Sequence, residues 1–238
     1  RGVMDLITLD FETYYDKAFS LKKLTMEEYV RDPRFEVIGV GVKVNSEVTE
    51  WGSGTHEQLS KYLQSFDWEN SMLLCHNTMF DGAILGWCFG IHPRVYADTM
   101  CIARAIHGVE VSASLKAVSE KYGVGEKGTE VVNALGKRRV EFTAEELSRY
   151  GDYCINDVDL TFKLFMRMAN NGKFPRLEMK LIDLTLRMFI QPVLDLNLEL
   201  LEQHLTETRD RKEALLGAAG VTKEDLMSNP KFAEVLKS

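Results

Sequence analysis

Three short motifs contain the residues of this 238-residue sequence whose types and spacing could do chemistry. In the first, Asp10 and Glu12 end an apolar run that is typical of a β-strand. Side chains alternate along a strand, so both carboxylates point to one side and Phe11 points to the other. Two acids at the open end of a rigid strand suit a metal site, although Asp-x-Glu pairs also occur by chance.

The second motif is the segment HNTMFD, which directly follows the apolar run 71–75. If a helix begins here, Asn77 and Asp81 lie four residues apart on one face of it, with Phe80 beside them. A purely structural interpretation also fits: Asn77 would cap the helix, and Asp81 would interact with the helix dipole in the first turn.

The third motif is Tyr153-Cys154-Ile155-Asn156-Asp157, in a long helix that a capping box at 143–146 predicts. Tyr153 and Asp157 are one helical turn apart and project from one face. That face adjoins an apolar stripe, so we expect both side chains at the edge of the core, facing the sheet. The alternative is a Tyr–Asp pair on the surface.

Taken together, the motifs bring four acids into one candidate site: Asp10, Glu12, Asp81 and Asp157. Four carboxylates at close range repel one another unless cations lie between them. Ligands that are all oxygen select hard ions such as Mg²⁺ or Mn²⁺. The five histidines lack the His-x-x-x-His spacing of a zinc helix, so zinc is disfavoured.

An alternation of strands and helices must position these acids. Apolar runs predict strands at 3–10, 35–43, 46–51, 71–75 and 95–97. Capping boxes predict helices beginning after Thr25, Thr55 and Thr143. The glycine-rich segment 123–136 lacks periodicity and is predicted to be a mobile loop or lid. From about residue 173 onward the pattern is helical.

Composition excludes several classes of protein. The net charge of −7 argues against attachment to nucleic acid through a general positive field. No apolar run approaches the ~20 residues that a membrane span requires, so no membrane partner is expected. Four cysteines without a regular framework indicate reduced thiols in a cytosolic protein.

The motifs DFE (10–12), NTMFD (77–81) and YCIND (153–157) resemble those of the DEDDy 3′→5′ exonucleases in order and rough spacing. The flanking segments LDFETYYD, CHNTMFDGAIL and SLKAVSEKYGV look like the proofreading domain of family A DNA polymerases, particularly phage-type ones. This resemblance implies an α/β, RNase H-like domain over residues 1–172, with a mixed sheet of about five strands flanked by helices.

The helical C-terminal extension, residues 173–238, is similar to the start of the polymerase domain in that family. The rest of a polymerase chain is therefore an expected partner, and the phage-type resemblance implies the cytoplasm of a bacterial or phage-infected host cell. The sequence opens without an initiator methionine and ends before any palm or fingers motif, so we expect a fragment without polymerase activity.

The resemblance implies removal of nucleotides from a single-stranded DNA 3′ end by a two-metal mechanism with Mg²⁺ or Mn²⁺. Asp10 would bridge both ions. Glu12 and Asp157 would complete the site that generates the attacking hydroxide, and Asp81 would hold the second ion. Tyr153 would orient the nucleophilic water, because an ordinary tyrosine is a poor base at neutral pH.

Three further residues are expected at the substrate. Phe80 and Asn77 would hold the terminal nucleotide, Phe80 by stacking, and the backbone around Thr13 would contact the terminal sugar. For Asp98 we favour a helix cap over a role beside the metal site. For the basic run 137–139 we favour a solvated surface over a phosphate contact.

Other functions remain open. An RNase D-like exoribonuclease shares the same three motifs, and the polymerase-like tail is what favours DNA. A catalytically silent RNase H-like module that binds DNA is a second alternative, weakened by the presence of every motif residue. A domain whose acids are caps and surface pairs is the third.

Overall fold

A mixed five-stranded sheet forms the centre of the computed structural model, which describes residues 4–128, 134–169 and 172–237. The strands are β1 (Asp5–Thr13), β2 (Val37–Val44), β3 (Glu50–Gly52), β4 (Ser71–Cys75) and β5 (Val95–Asp98), in the spatial order β3-β2-β1-β4-β5. The central β1 pairs antiparallel with β2 and parallel with β4. The predicted sheet of about five strands is confirmed.

The helices are α1 (Met26–Arg31), α2 (His56–Leu63), α3 (Thr78–Phe89), α4 (Thr99–His107), α5 (Leu115–Tyr122), α6 (Ala144–Met168), α7 (Arg176–Ile190), α8 (Leu198–Ala219), α9 (Lys223–Met227) and α10 (Asn229–Val235). Capping boxes are present at all three predicted starts, Thr25, Thr55 and Thr143. Because each box satisfies otherwise unpaired amides at the first turn, these local signals located the helices correctly.

The two faces of β1 have different environments. Ile7, Leu9 and Phe11 point into the main hydrophobic core, which includes Ile84 and Leu85 of α3. Residues of opposite parity face α6, which crosses the other side of the sheet. Strand parity therefore separates the apolar residues of β1 from its acids.

Close approach of α6 to the sheet depends on Gly41, the residue of β2 that pairs with Asp10. A Cβ atom at Gly41 would lie 2.9 Å from Cys154 Sγ and 3.0 Å from Val158 Cγ2. The missing side chain gives α6 room to lie directly against the strand acids.

The chain forms two compact units that divide between Pro192 and Val193. The first includes α7, whose Leu186 and Ile190 are buried, and the Trp87 indole of α3 donates to Ile190 O at 2.9 Å. The domain boundary expected near residue 172 lies before α7, and α7 packs with the sheet as part of the first unit.

The second unit contains α8, α9 and α10, and none of its described residues is buried. The assignment of residues 173–238 to the start of a polymerase domain stays a prediction. Among the described residues, no helix has the length and apolar character to cross a membrane. The middle of the predicted loop, residues 129–133, lies outside the described residues.

Candidate active site

Strand β1 brings Asp10 and Glu12 to one face, as the spacing predicts. One ligand atom each of Asp10, Glu12 and Cys154 lie within 4.8 Å of one another. Phe11, between the two acids, turns to the opposite face, where its ring stacks on Phe89 with centroids 5.8 Å apart. Both acids are half-buried, so their carboxylates are partly withdrawn from water.

Helix α3 places Asp81 against the same strand. The pairing of β4 with β1 ends at Thr8, which leaves later amides on that side of β1 without a strand partner. The buried Asp81 carboxylate accepts a hydrogen bond from Phe11 N at 2.9 Å. Asp81 therefore lies beside the first motif, in addition to being in the first turn of its own helix.

Asp98 holds the start of α3 in place. Its buried carboxylate caps α4 by accepting from Met100 N and Cys101 N, as expected, and it also accepts from Asn77 N and Thr78 N at 3.1 and 2.9 Å. One side chain thus satisfies amides at the beginning of two helices. The Asn77 side chain makes no capping hydrogen bond, because Asp98 replaces it.

A single face of α6 supplies the remaining groups. Tyr150, Tyr153, Cys154 and Asp157 occur at spacings of three and four residues, which align them along the helix. The Tyr150 hydroxyl lies beside the Glu12 carboxylate, whose pKa it lowers. The Cys154 thiol donates to Asp10 O at 3.3 Å. Neither partner was anticipated from the sequence, although Tyr150 lies one helical turn before Tyr153 on the same face.

Asp157 is buried and forms an ion pair that the sequence did not indicate. Its Oδ2 accepts from Lys127 Nζ at 2.6 Å, and Tyr153 lies beside this pair, with the ammonium 5.3 Å from the centroid of its ring. Asp157 Oδ1 is buried without a hydrogen-bond partner among the described residues. A buried carboxylate oxygen without a partner is costly, and a bound cation would satisfy it.

Crowding of the four acids changes their acidity. Burial, followed by the nearby Asp157 charge, raises the pKa of Asp10 from 3.8 to about 7. Burial and the nearby Asp10 raise the pKa values of Glu12 and Asp81 well above their usual range. Positive charge between the acids would reverse these shifts, because it favours the ionised forms.

The donor set fits hard divalent cations. Carboxylate oxygens dominate it, which matches Mg²⁺ or Mn²⁺. Burial raises the pKa of the Cys154 thiol well above its usual value, so this group stays protonated and acts as a hydrogen-bond donor to Asp10. A protonated thiol is a poor metal ligand.

The residues expected at the substrate occupy two different cavities. Thr13 and Phe80 line a cavity of about 490 Å³ that also includes Glu12 and Tyr150. The Thr13 hydroxyl is hydrogen-bonded to the Tyr29 hydroxyl at 2.9 Å. Asn77 instead lines a separate cavity of about 250 Å³ together with Asp98 and Leu181.

The basic run 137–139 is occupied by intramolecular contacts. Lys137 Nζ pairs with Glu146 at 2.6 Å, and Arg138 pairs with Glu36 at 3.0 Å and lies 3.6 Å over the Tyr14 ring. Arg139 N donates to Glu36 at 3.1 Å. These contacts fix the segment that leads into α6.

Several solved structures share the fold of this chain. The fold is similar to that of RNase D from Trypanosoma brucei (TM-score 0.62, 17% identity, 82% of this chain and 69% of that chain). It is also similar to NrnC from Brucella melitensis (TM-score 0.52, 15% identity, 82% and 90%). A family B DNA polymerase from Pyrobaculum calidifontis matches 69% of this chain and 24% of its own (TM-score 0.51, 15% identity).

These likenesses confirm the predicted exonuclease fold of the RNase H-like type. No curated protein matches the sequence at a significant level. The family model described as 3′-5′ exonuclease matches residues 15–173, which is more than half of the chain. The match begins after Asp10 and Glu12, whose position beside the later motifs comes from the structure. The chain belongs to the 3′-5′ exonuclease family.

Proposed function

We propose that this protein removes nucleotides from the 3′ end of single-stranded DNA and proofreads for a DNA polymerase to which the chain belongs. The observation that carries the proposal is the convergence of Asp10, Glu12, Asp81 and Asp157 from β1, α3 and α6 on one site. The cluster is electrostatically unfavourable without cations, since the pKa of each of Asp10, Glu12 and Asp81 is raised by at least one other acid of the four.

Two Mg²⁺ or Mn²⁺ ions would supply an activated water and stabilise charge on the attacking and leaving oxygens. Asp10 lies centrally and is proposed to contact both ions. Glu12 and Asp157 are proposed to hold the ion at the attacking water, and Asp81 the other. Tyr150 is proposed to help position Glu12, which it neighbours.

Tyr153 is proposed to orient the attacking water. Burial raises the pKa of Tyr153 to about 12, so the hydroxyl stays protonated at neutral pH. A protonated hydroxyl beside Asp157 can hydrogen-bond a water and hold it in line with the phosphorus atom, but it cannot take the water's proton.

The cavity of about 490 Å³ beside Glu12 is proposed to hold the terminal nucleotide. Phe80 offers an aromatic face to the base, and stacking of this kind contributes about 1–3 kcal/mol per base without sequence preference. Thr13 would contact the sugar from the end of β1. Asn77 is proposed to contact the same nucleotide from its own cavity.

RNA is the second candidate substrate. RNase D of Trypanosoma brucei has been solved with RNA U12, and NrnC of Brucella melitensis with pGG and with Mg²⁺. The three acidic motifs do not distinguish DNA from RNA, so an RNase D-like exoribonuclease fits the same site. A silent nucleic-acid-binding module fits less well, because every expected acid is present in the cluster.

The experiment compares 5′-labelled DNA and RNA oligonucleotides of one sequence, each with Mg²⁺ and with EDTA. A metal-dependent ladder that shortens stepwise from the 3′ end of DNA supports the proposal. A ladder on RNA alone assigns an exoribonuclease, and no ladder on either overturns the enzymatic function. Faster removal of a mismatched than of a paired 3′ nucleotide is expected of a proofreading enzyme.

A further inference from the structure

Lys127 occupies a position that the proposed mechanism does not use. Among the described residues, it is the only cation that forms an ion pair with one of the four acids. Its ammonium lies 2.6 Å from Asp157 Oδ2 and 5.3 Å from the centroid of the Tyr153 ring. It therefore lies between the two side chains that α6 contributes to the chemistry.

The segment before Lys127 is held against α6 by specific contacts. Asn156 Nδ2 of α6 donates to Glu126 O at 3.2 Å. Gly125 has φ +143°, and a Cβ atom there would lie 2.9 Å from Leu160 Cδ2 of α6. Glycine meets both requirements, since it tolerates this φ and leaves space for the helix. These contacts anchor the backbone before Lys127 against α6, so the side chain extends to the site from a fixed position.

The contact with Asp157 is incompatible with full use of that carboxylate as a metal ligand. A cation that binds Asp157 repels the ammonium at Oδ2 and favours its displacement, because like charges repel. The flexible four-carbon side chain allows a shift of a few ångströms from the same anchored backbone. Asp10 and Glu12 also lie within range of the Lys127 charge, but bound metal would compensate them, which leaves the phosphate of a bound strand as the anion for the ammonium to contact.

Charge balance supports this role. Four ionised acids and two divalent ions sum to zero, so the ions alone leave no net attraction for a phosphodiester. With Lys127 the total is +1, which complements the single negative charge of the scissile linkage. During attack, negative charge grows on the phosphoryl oxygens, and a positioned cation stabilises that state more than the ground state.

We propose that Lys127 is a catalytic residue whose ammonium leaves Asp157 when metal binds and then contacts a non-bridging oxygen of the scissile phosphate. This inference rests on the proposed nuclease function. It assigns Lys127 two effects of opposite sign: competition with the metal for Asp157, and assistance to the cleavage of bound substrate.

The test compares Lys127→Met with Lys137→Met in the full chain. Lys137 is a matched control, since it also forms a 2.6 Å ion pair and lies 5.5 Å from an aromatic ring centroid, but pairs with Glu146. Mn²⁺ affinity is measured by calorimetry without substrate, cleavage by single-turnover kinetics on labelled DNA, and folding by thermal melting.

For Lys127→Met we expect Mn²⁺ affinity equal to or higher than that of the wild type, and cleavage slower by about 10²–10³-fold. Lys127→Arg should recover part of the rate because it retains the charge. Lys137→Met should change neither quantity. A rate for Lys127→Met within about threefold of wild type would overturn the inference.

Loss of Mn²⁺ affinity together with rate in Lys127→Met would also overturn it, because that result indicates a residue that only supports the fold of the site. Failure of the proposed function gives a distinguishable result, because the wild type itself would then leave both DNA and RNA uncut. The proposed role of Lys127 in cleavage would be wrong in that case as well.

Discussion

The acid cluster has two halves that differ in how their charge is balanced. We call the first the strand half: it consists of Asp10 and Glu12 on β1 and of Asp81 on α3, which binds the Phe11 amide of β1. The groups beside these three acids are uncharged, namely the Cys154 thiol, the Tyr150 hydroxyl and the Phe11 amide. Among the described residues, none of these three acids forms an ion pair. The helix half consists of Tyr153 and Asp157, and there the Lys127 ammonium already supplies a positive charge.

This difference indicates which half depends more on metal. In the strand half, burial and mutual repulsion favour protonated carboxyls, so a divalent ion must provide the compensating charge. In the helix half, burial raises the pKa of Asp157 while Lys127 opposes this shift. The strand half therefore carries more negative charge without a compensating cation. In the helix half, the Lys127 ammonium already takes the place of a metal ion.

Removing one negative charge from either half should reduce the cleavage rate more than any other change considered. Asp10→Asn and Asp157→Asn are expected to abolish cleavage while leaving the fold intact, because each removes a negative ligand at nearly constant shape. Gel analysis of labelled DNA measures cleavage, and circular dichroism measures folding. Asp159→Asn is the matched control on α6, since Asp159 pairs with Lys43 away from the cluster. A rate within about tenfold of wild type would remove the altered acid from the metal site.

Tyr153→Phe should separate chemistry from metal binding in the helix half. Loss of the hydroxyl is expected to slow cleavage by about 10²-fold, because the attacking water loses its orienting hydrogen bond. Mn²⁺ affinity should stay within about twofold, since Tyr153 is not expected to be a ligand. Calorimetry and single-turnover rates measure the two effects, and a parallel loss of metal binding would contradict the orienting role.

Tyr150→Phe, in the strand half, should have the opposite pattern of effects, with a loss of metal affinity as the primary change. The Tyr150 hydroxyl lies beside Glu12 and lowers its pKa, and loss of such a supporting group around a metal ligand typically weakens metal affinity or activity by about 10–100-fold. We expect Mn²⁺ affinity to fall and part of the rate to return at high Mn²⁺ concentration. If excess metal restored none of the lost rate, Tyr150 would act on substrate and not on Glu12.

The smallest expected effect is a dependence of metal binding on pH. In the folded protein without metal, Asp10 stays protonated up to about pH 7, whereas its ordinary pKa is 3.8. Between these values the folded state binds more protons than the unfolded state, so raising the pH lowers the free energy of unfolding. A divalent ion requires the ionised carboxylate, so its binding should release protons.

Calorimetry at about pH 6 and about pH 8 should therefore show tighter Mn²⁺ binding at the higher pH. Buffers with different ionisation enthalpies measure the released protons directly. Equal affinity at both values would indicate that Asp10 is already ionised without metal. The thermal stabilisation by Mn²⁺ should likewise be larger at the higher pH.

The sequence by itself determined the features that depend on short-range geometry. Alternation along β1 put Asp10 and Glu12 on one face, helical spacing put Tyr153 and Asp157 on another, and capping boxes located the starts of α1, α2 and α6. These patterns depend on sterics and hydrogen bonds within a few residues, so they can be recognised without knowledge of the rest of the chain.

Helix α7 shows where such patterns stop being sufficient. Leu177, Leu181, Leu184 and Met188 form an apolar stripe in the sequence, yet all four are exposed, and Leu186 and Ile190 are the buried residues. The helix is apolar on more than one side. Which side packs against the sheet depends on the shape of α3 and β5, which no pattern within α7 records.

Only the tertiary structure decided the partners of the acids. Asp81 binds an amide 70 residues away, and Lys127 reaches Asp157 from a glycine-rich segment that carries no periodic signal. Such contacts depend on which amides a strand leaves unpaired and on how closely a loop can approach a helix. Both follow from the packing of whole elements, whereas the alternation of side chains along one element follows from its local backbone geometry.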